Sequence, residues 1–125
     1  MNNMFINCIS VFLCGGLGCI LRYITGVLFK SFIFPFATFF VNIFGCFILG
    51  LLLTISAKNT QINPILKTAL TVGLCGGLTT FSTFILEGLD MLVKSQYLLF
   101  FIYISLSLVL GFTAAGLGIL IAKCI

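Results

Sequence analysis

The chain has 125 residues, of which 62% are hydrophobic and only 6% are charged. A soluble domain carries about 25% charged residues and a disordered segment is poor in hydrophobic ones, so this composition excludes both classes and indicates a protein dissolved in lipid. The chain has no His and only two acids, Glu87 and Asp90, so the groups needed for enzyme catalysis are scarce.

Long charge-free stretches predict four membrane-spanning helices. Charged residues are missing from the stretches 1–21, 31–57, 68–86 and 95–122. A helix needs about 20 apolar residues to cross a bilayer core about 30 Å thick, whereas a barrel strand is about 10 residues long and alternates polar with apolar positions. We therefore predict an all-α membrane protein. Residues 1–125 would form a single transmembrane domain with helices at about 4–29, 35–57, 65–93 and 97–122.

Short segments connect these helices, and two prolines mark predicted helix starts. Pro35 stands in the first turn of the second helix, where proline is tolerated. The longest polar stretch, 58–64, ends in Asn63-Pro64. This pair predicts an N-cap followed by the first helical position of the third helix.

The basic residues are divided evenly between the two sides of the membrane. One side would hold three of them and the other side three: Lys58, Lys67 and Lys123 against Arg22, Lys30 and Lys94. The positive-inside rule needs an imbalance to set the orientation. Either the chain is a statistical exception, or it inserts both ways and pairs with an inverted copy of itself. Six scattered bases form no patch for nucleic acid.

Small residues inside the predicted helices indicate close packing. Gly73 and Gly77, and also Ala114 and Gly118, are separated by three positions, the spacing that lets helices approach closely in lipid. The cysteines have no Cys-x-x-Cys spacing and no His to complete a zinc site, so we interpret them as small apolar residues. They are Cys8, Cys14, Cys19, Cys46, Cys75 and Cys124.

Polar residues within the apolar spans need partners, because unpaired polar groups are costly in hydrocarbon. Asn42 lies midway along the second span, with Thr38 one turn before it. Taken alone, Asn42 indicates an interhelical hydrogen bond. Arg22 lies about two turns before the end of the first span and is interpreted as snorkelling or as capping carbonyls of another helix.

The third span carries the most unusual cluster. Gly76 and Gly77 are followed by four hydroxyl residues within five positions, Thr79, Thr80, Ser82 and Thr83. Glycine disfavours a helix interior, and threonine competes for backbone hydrogen bonds. The segment predicts a helix broken near the membrane midplane. Exposed carbonyls are tolerated there only beside a cavity or an ion, and such breaks build cation sites in other membrane proteins.

Phe81 and Phe84 lie on one face of that span and allow two interpretations. They are either packing or lipid-facing aromatics, or edge-on rings whose positive edges receive an anion. Neutral donors would accompany them in the second case, from Asn42, from Ser82 and Thr83, and from Tyr103 and Ser107 one turn apart in the fourth span. Such an inventory suits a small anion that must lose water and still pass quickly.

These residues resemble the Fluc/CrcB family of microbial fluoride channels over nearly the whole chain. The segment Gly15-Gly16-Leu17-Gly18-Cys19-Ile20-Leu21-Arg22-Tyr23 is similar to the family's first-helix motif, with Cys19 where Ala is commoner. Residues 37–45 are similar to its Gly-Thr-Leu-x-x-Asn-x-x-Gly pattern, from which Ala37 and Phe39 depart. Residues 76–84, Gly-Gly-Leu-Thr-Thr-Phe-Ser-Thr-Phe, match without departure.

The resemblance implies an antiparallel, dual-topology homodimer in the cell membrane, surrounded by lipid, that passively exports fluoride through two pathways. It implies a structural sodium ion held by the backbone carbonyls of Gly76 and Thr79 from both subunits, with Arg22 and Gly77 as structural residues. It assigns Phe81 and Phe84 to an aromatic box. The implied hydrogen-bonding residues of the pore are Asn42, Ser82, Thr83, Tyr103 and Ser107. Glu87 would lie near a vestibule, with its role open.

Two other functions remain as alternatives. A small four-span multidrug exporter would need an acid embedded in the membrane, and the chain offers Glu87 and Asp90 only near the end of the third span. A non-transporting assembly subunit would explain the glycines and short loops but not the hydroxyl cluster with its paired phenylalanines.

Overall fold

The structure is a computed structural model that describes residues 2–30, 33–59 and 61–125. Within these ranges the chain is helical and contains no strand. Four spans are long and apolar enough to cross a membrane, which confirms the predicted fold class. The helices are α1 (Asn2–Leu28), α2 (Phe36–Lys58), α3 (Pro64–Thr68), a π-helix (Ala69–Cys75), α4 (Gly76–Leu78), α5 (Phe81–Val93) and α6 (Tyr97–Cys124).

The two prolines lie at helix starts. The side chain of Asn63 accepts a hydrogen bond from the Ile65 N–H at 2.9 Å, and Pro64 opens the helix, which confirms the predicted cap. Pro35 itself occupies the N-cap position of α2, so helical geometry begins one residue later, at Phe36. Proline fits here because the first N–H groups of a helix have no intrahelical acceptor.

The third span is broken at its hydroxyl residues. The glycine pair remains helical, with Gly76 at φ −65° and ψ −34°, and the chain becomes extended only at Thr79 and Thr80. The break therefore lies two residues after Gly77, near the middle of the span Pro64–Val93. The first half is widened by the π-helix, a rare form that occurs mostly at functional sites.

Two seams of small residues join the helices in pairs. In the first seam α1 packs against the π-helix and α4, and a methyl group added at Gly77 would meet the backbone of Gly15. In the second seam α2 packs along α6, and a methyl group at Gly118 would meet the backbone of Phe47. Backbones approach this closely only where side chains are absent, so the seams fix how the pairs are aligned around the break.

Most of the surface is apolar. A small core of Phe39, Phe84, Met91 and Tyr103 lies between α2, α5 and α6. Large side chains elsewhere point outward, as do Phe12 and Phe112, which are 77% and 79% exposed. An apolar exterior of this extent is stable only against lipid or another subunit. The chain is thus a multi-pass membrane protein.

Candidate functional site

The break frees several backbone carbonyls of the third span from helical hydrogen bonds, and those of Gly76 and Thr79 are two of them. In a continuous helix each N–H donates to the carbonyl four residues earlier, so Thr80 would pair with Gly76, and Thr83 with Thr79. Here the Thr80 N–H donates to Asn42 Oδ1 at 2.8 Å, and the Thr83 N–H donates to Thr80 Oγ1 at 3.3 Å. Both helical donors are diverted, so both carbonyls can accept from a group outside the helix.

Asn42 binds the break from the neighbouring helix α2. Its Oδ1 accepts from the Thr80 N–H, and its Nδ2 donates to the Thr80 carbonyl at 3.1 Å. The side-chain amide thus pairs with both main-chain groups of one residue. A carboxamide carries two N–H hydrogens, so one remains for another acceptor. The predicted interhelical hydrogen bond of Asn42 is present.

Thr80 starts the second half of the broken span. It is 8% exposed and serves as the N-cap of α5, where a threonine oxygen is a favoured acceptor. Its hydroxyl also donates to Thr83 Oγ1 at 3.1 Å and lies 3.4 Å from Ser82 Oγ. The hydroxyl cluster therefore ends one helix and caps the next.

Arg22 reaches the same break from α1. Its Nη1 lies 3.4 Å from the Thr79 carbonyl oxygen, a long hydrogen bond, and its Nη2 lies 3.7 Å from Cys19 Sγ. The side chain takes the position expected of an arginine that caps carbonyls of another helix.

A first cavity of about 360 Å³ lies beside the break. It brings together six of the sequence-predicted site residues. Its wall contains no charged side chain among the described residues, and two free cysteines, Cys46 and Cys75, contribute to it. The six predicted residues in the wall are Asn42, Gly76, Thr79, Phe81, Phe84 and Ser107.

Ser107 lies in the wall of this cavity, and its hydroxyl is unpaired among the described residues. Its Oγ is buried and has no hydrogen-bond partner in the part of the chain that the structure describes. A buried hydroxyl without a partner costs about 1–3 kcal/mol. Because this oxygen is not accessible in the isolated chain, a water or an anion can reach it only if the cavity wall shifts.

The two phenylalanines of the cavity have different surroundings. Their ring centroids are 6.3 Å apart at an interplanar angle of 38°. Phe84 is buried and its ring lies 5.1 Å from that of Tyr103, whereas Phe81 is 76% exposed. One ring is therefore held by the core, and the other projects from the isolated chain.

Glu87 is held by two hydroxyl groups from other helices, an arrangement that the sequence had left open. Thr38 Oγ1 donates to one carboxylate oxygen and Tyr103 Oη to the other, each at 2.7 Å. Tyr103 is fully buried and lines neither of the cavities described here, unlike Ser107 one turn later. One sequence signal could have indicated this group. Thr38 lies one turn before Asn42 on the same face of its helix, and Glu87 lies one turn after Phe84 on the same face of its own helix.

A second cavity of about 670 Å³ lies on the other side of the break. Its wall includes Arg22, Lys30, Thr83 and Glu87, so it carries two cationic groups and one acid. Thr80 belongs to the walls of both cavities. Positive charge at the mouth of a cleft raises the local concentration of anions.

Ser82, like Tyr103 and Gly77, is a sequence-predicted site residue that lines neither cavity. It is exposed and belongs to neither cavity, and its Oγ contacts Thr80. The other acid, Asp90, is also outside the site, because it forms an exposed ion pair with Lys94 at 2.6 Å.

The donor set at the break suits a hard cation such as sodium. Gly76 and Thr79 lie in the wall of the first cavity, and their carbonyls have lost their helical donors. Unwound carbonyls of this kind coordinate sodium in other membrane proteins. Gly76 and Thr79 supply two such oxygens per chain, so a complete shell built on them requires further oxygens from a second copy or from water.

Comparison with known proteins gives a family over most of the chain. Residues 9–119 match the family described as CrcB-like protein, Camphor Resistance (CrcB). A protein of Flavobacterium psychrophilum is 46% identical over 112 residues, covering 87% of this chain and 90% of its own length. One from Gloeothece citriformis is 47% identical over 116 residues, covering 90% and 94%, and one from a Geobacter species is 37% identical over 120 residues, covering 94% and 97%.

Each of these three relatives is named as a fluoride-specific ion channel, FluC. The matched region includes the second and third spans, most of the first and fourth spans, the break and both cavities. The chain belongs to the CrcB family.

Proposed function

We propose that the chain is a passive, fluoride-selective ion channel and not an enzyme. The observation that carries the proposal is the first cavity, where the donors of Asn42 and Ser107 lie beside Phe81 and Phe84 and the wall has no charged side chain among the described residues. The three relatives named as fluoride-specific channels support fluoride as the transported ion.

Neutral donors suit conduction because they offset dehydration without trapping the ion. Moving a small ion from water into a low-dielectric interior costs of order 20 kcal/mol if nothing replaces the water. Three kinds of group each replace part of the lost hydration: the second hydrogen of Asn42 Nδ2, the Ser107 hydroxyl and the positive edges of the phenylalanine rings. A fixed charge in the wall would bind the anion more tightly and slow its exit.

The second cavity serves as the entrance. Arg22 and Lys30 attract the anion, and Thr83 offers it a hydroxyl donor. The hydroxyls of Thr38 and Tyr103 both donate to Glu87. We therefore assign Tyr103 the role of holding that carboxylate in place, which supports the wall of the pathway. Ser82, exposed on the isolated chain, joins the pathway in the assembled channel.

The working unit in this proposal is an inverted homodimer in the cell membrane. The even charge count supports insertion in both orientations. An inverted partner would cover exposed apolar surface, bring the Gly76 and Thr79 carbonyls of both subunits to one structural sodium ion, and create two pathways. Fluoride would then leave the cytoplasm down its electrochemical gradient.

The test is fluoride efflux from liposomes that contain the purified protein, followed with a fluoride electrode. We expect efflux well above that of empty liposomes, and chloride efflux close to the background. Absence of fluoride efflux from folded, dimeric protein would rule out the channel. Family membership favours this function over the multidrug exporter and the assembly subunit.

A further inference from the structure

We propose that Asn42 and Thr80 are positioning residues for the cation site: they keep the Gly76 and Thr79 carbonyls out of helical hydrogen bonds by binding the two N–H groups that would otherwise donate to them. Arg22 Nη1, 3.4 Å from the Thr79 oxygen, leaves that oxygen a second lone pair for the cation. The inference rests on the proposed sodium site and assigns a role in it to two side chains. Neither side chain needs to touch the cation.

The role of Asn42 follows from what Thr80 would otherwise do. With Asn42 Oδ1 at 2.8 Å, the Thr80 N–H is fully used, and the second bond, from Nδ2 to the Thr80 carbonyl, holds the peptide extended. Without the amide, that N–H is a buried donor that lacks an acceptor. The nearest helical acceptor is the Gly76 carbonyl, so the break would tend to close into a helix.

Thr80 has the same role for the Thr79 carbonyl that Asn42 has for the Gly76 carbonyl. Its Oγ1 accepts the Thr83 N–H, which in a continuous helix would donate to the Thr79 carbonyl. Replacing the hydroxyl with a methyl group removes the acceptor but keeps the branched shape. The Thr83 N–H then has the Thr79 carbonyl as its helical acceptor.

The same two residues connect the cation site to the anion pathway. Asn42 retains one Nδ2 hydrogen for the first cavity, and Thr80 lies in the walls of both cavities. A loss of sodium would therefore disturb the groups that meet the anion. This predicts a sodium requirement for fluoride flux that depends on Asn42 and Thr80.

The experiment measures the sodium concentration that gives half-maximal fluoride efflux, with N-methylglucamine replacing sodium, together with the maximal rate. A second measurement records how sodium shifts the melting temperature of the purified dimer, without any transport. The matched variants are Thr80→Val and Thr80→Ser. We expect Thr80→Val to raise the half-effective concentration about tenfold and to lose the melting shift, and Thr80→Ser to retain both properties.

Asn42→Ala should behave like Thr80→Val, and Thr113→Val serves as a control. Thr113 lies outside both cavities and its exposed hydroxyl bonds to Val109 of its own helix, so the half-effective sodium concentration of Thr113→Val should match that of the wild type. The nearly isosteric Thr80→Val decides the question even if Asn42→Ala fails to assemble.

The outcomes separate this inference from the proposals before it. A sodium response that is the same in the wild type and in the Thr80→Val and Asn42→Ala variants would overturn the positioning role and leave the sodium site standing. A lower maximal rate with an unchanged sodium requirement would also overturn it and leave Asn42 as a pore donor alone. Fluoride flux without any sodium effect in the wild type would overturn the sodium site and this inference together.

Discussion

Phe81 and Phe84 share the first cavity but contribute differently to the molecule. Phe84 is 8% exposed and packs against Tyr103, so its ring belongs to the core as well as to the cavity wall. Phe81 is 76% exposed and adds little to the packing of a single chain. A substitution at Phe84 therefore changes both the stability of the fold and the fluoride pathway. A substitution at Phe81 tests the pathway with little effect on the stability of the fold.

We predict that Phe81→Ile lowers fluoride efflux at least about tenfold, because an aliphatic side chain of similar size has no positive ring edge. The melting temperature of the purified dimer should change little. Phe112→Ile is the control, since Phe112 is 79% exposed on α6 and lies outside both cavities. Equal efflux from the two variants would show that Phe81 is not part of the fluoride pathway.

Among the described residues, Glu87 depends on Tyr103 for one of its two hydrogen bonds. Tyr103→Phe deletes the donor to one oxygen of a partly buried carboxylate, so we expect a loss of about 1–3 kcal/mol in the free energy of unfolding. Tyr97→Phe removes the hydroxyl of a tyrosine that is 58% exposed and should have little effect. Comparable melting temperatures for the two variants would show that the Tyr103 bond contributes nothing.

Sequence reasoning could identify individual polar residues but not their partners. Asn42, Phe81 and Ser107 were found because polar or paired aromatic residues in an apolar span need a reason. The Thr38–Glu87–Tyr103 group was missed because it joins three helices. Local spacing gives the face of one helix and not its rotation against the others.

For the helices, the sequence predicted the four spans and a break near the middle of the third, but not the residues at which the chain becomes extended. Charge-free stretches must be about 20 residues long to cross a bilayer, so the spans could be predicted from length and charge alone. The break depends on Asn42, which lies in another helix and binds Thr80 across 38 positions of sequence. The sequence placed the break only within the glycine and hydroxyl segment, and within that segment Gly77 serves the contact with Gly15.

The two seams predict which glycines can be replaced. Gly77→Ala and Gly118→Ala each place a methyl group against backbone atoms, so we expect a loss of about 1–3 kcal/mol or failure to assemble. Gly16→Ala and Gly116→Ala are the controls, because a methyl group at either position meets nothing within 4 Å. Thermal unfolding in detergent would compare all four. Seam variants as stable as their controls would contradict the close approach.

At the scale of the whole molecule, one chain presents an incomplete site. Phe81 and Ser82 are exposed beside the break, and the Gly76 and Thr79 carbonyls of one chain are by themselves too few for a cation shell. The balanced charge count gives no preferred orientation. These features agree with the proposed inverted homodimer, in which each subunit completes the other.

Opposite insertion can be tested by shifting the charge count. Gln61→Arg with Lys94→Gln changes three against three to four against two, and Gln96→Arg with Lys67→Gln changes it equally in the other direction. Each pair should bias its chain to one orientation and abolish efflux when expressed alone. Co-expression should restore efflux. Full efflux from either pair alone would contradict the inverted dimer.

The seams between α1 and the first half of the third span, and between α2 and α6, bring backbone against backbone at Gly77 and Gly118. Such contacts contain no rotamers that could switch between open and shut positions. A pathway framed by them has no hinge at these seams, and its conductance should follow temperature almost as weakly as diffusion in water does. The protein would therefore conduct through a permanently open pathway and not through one that opens and closes.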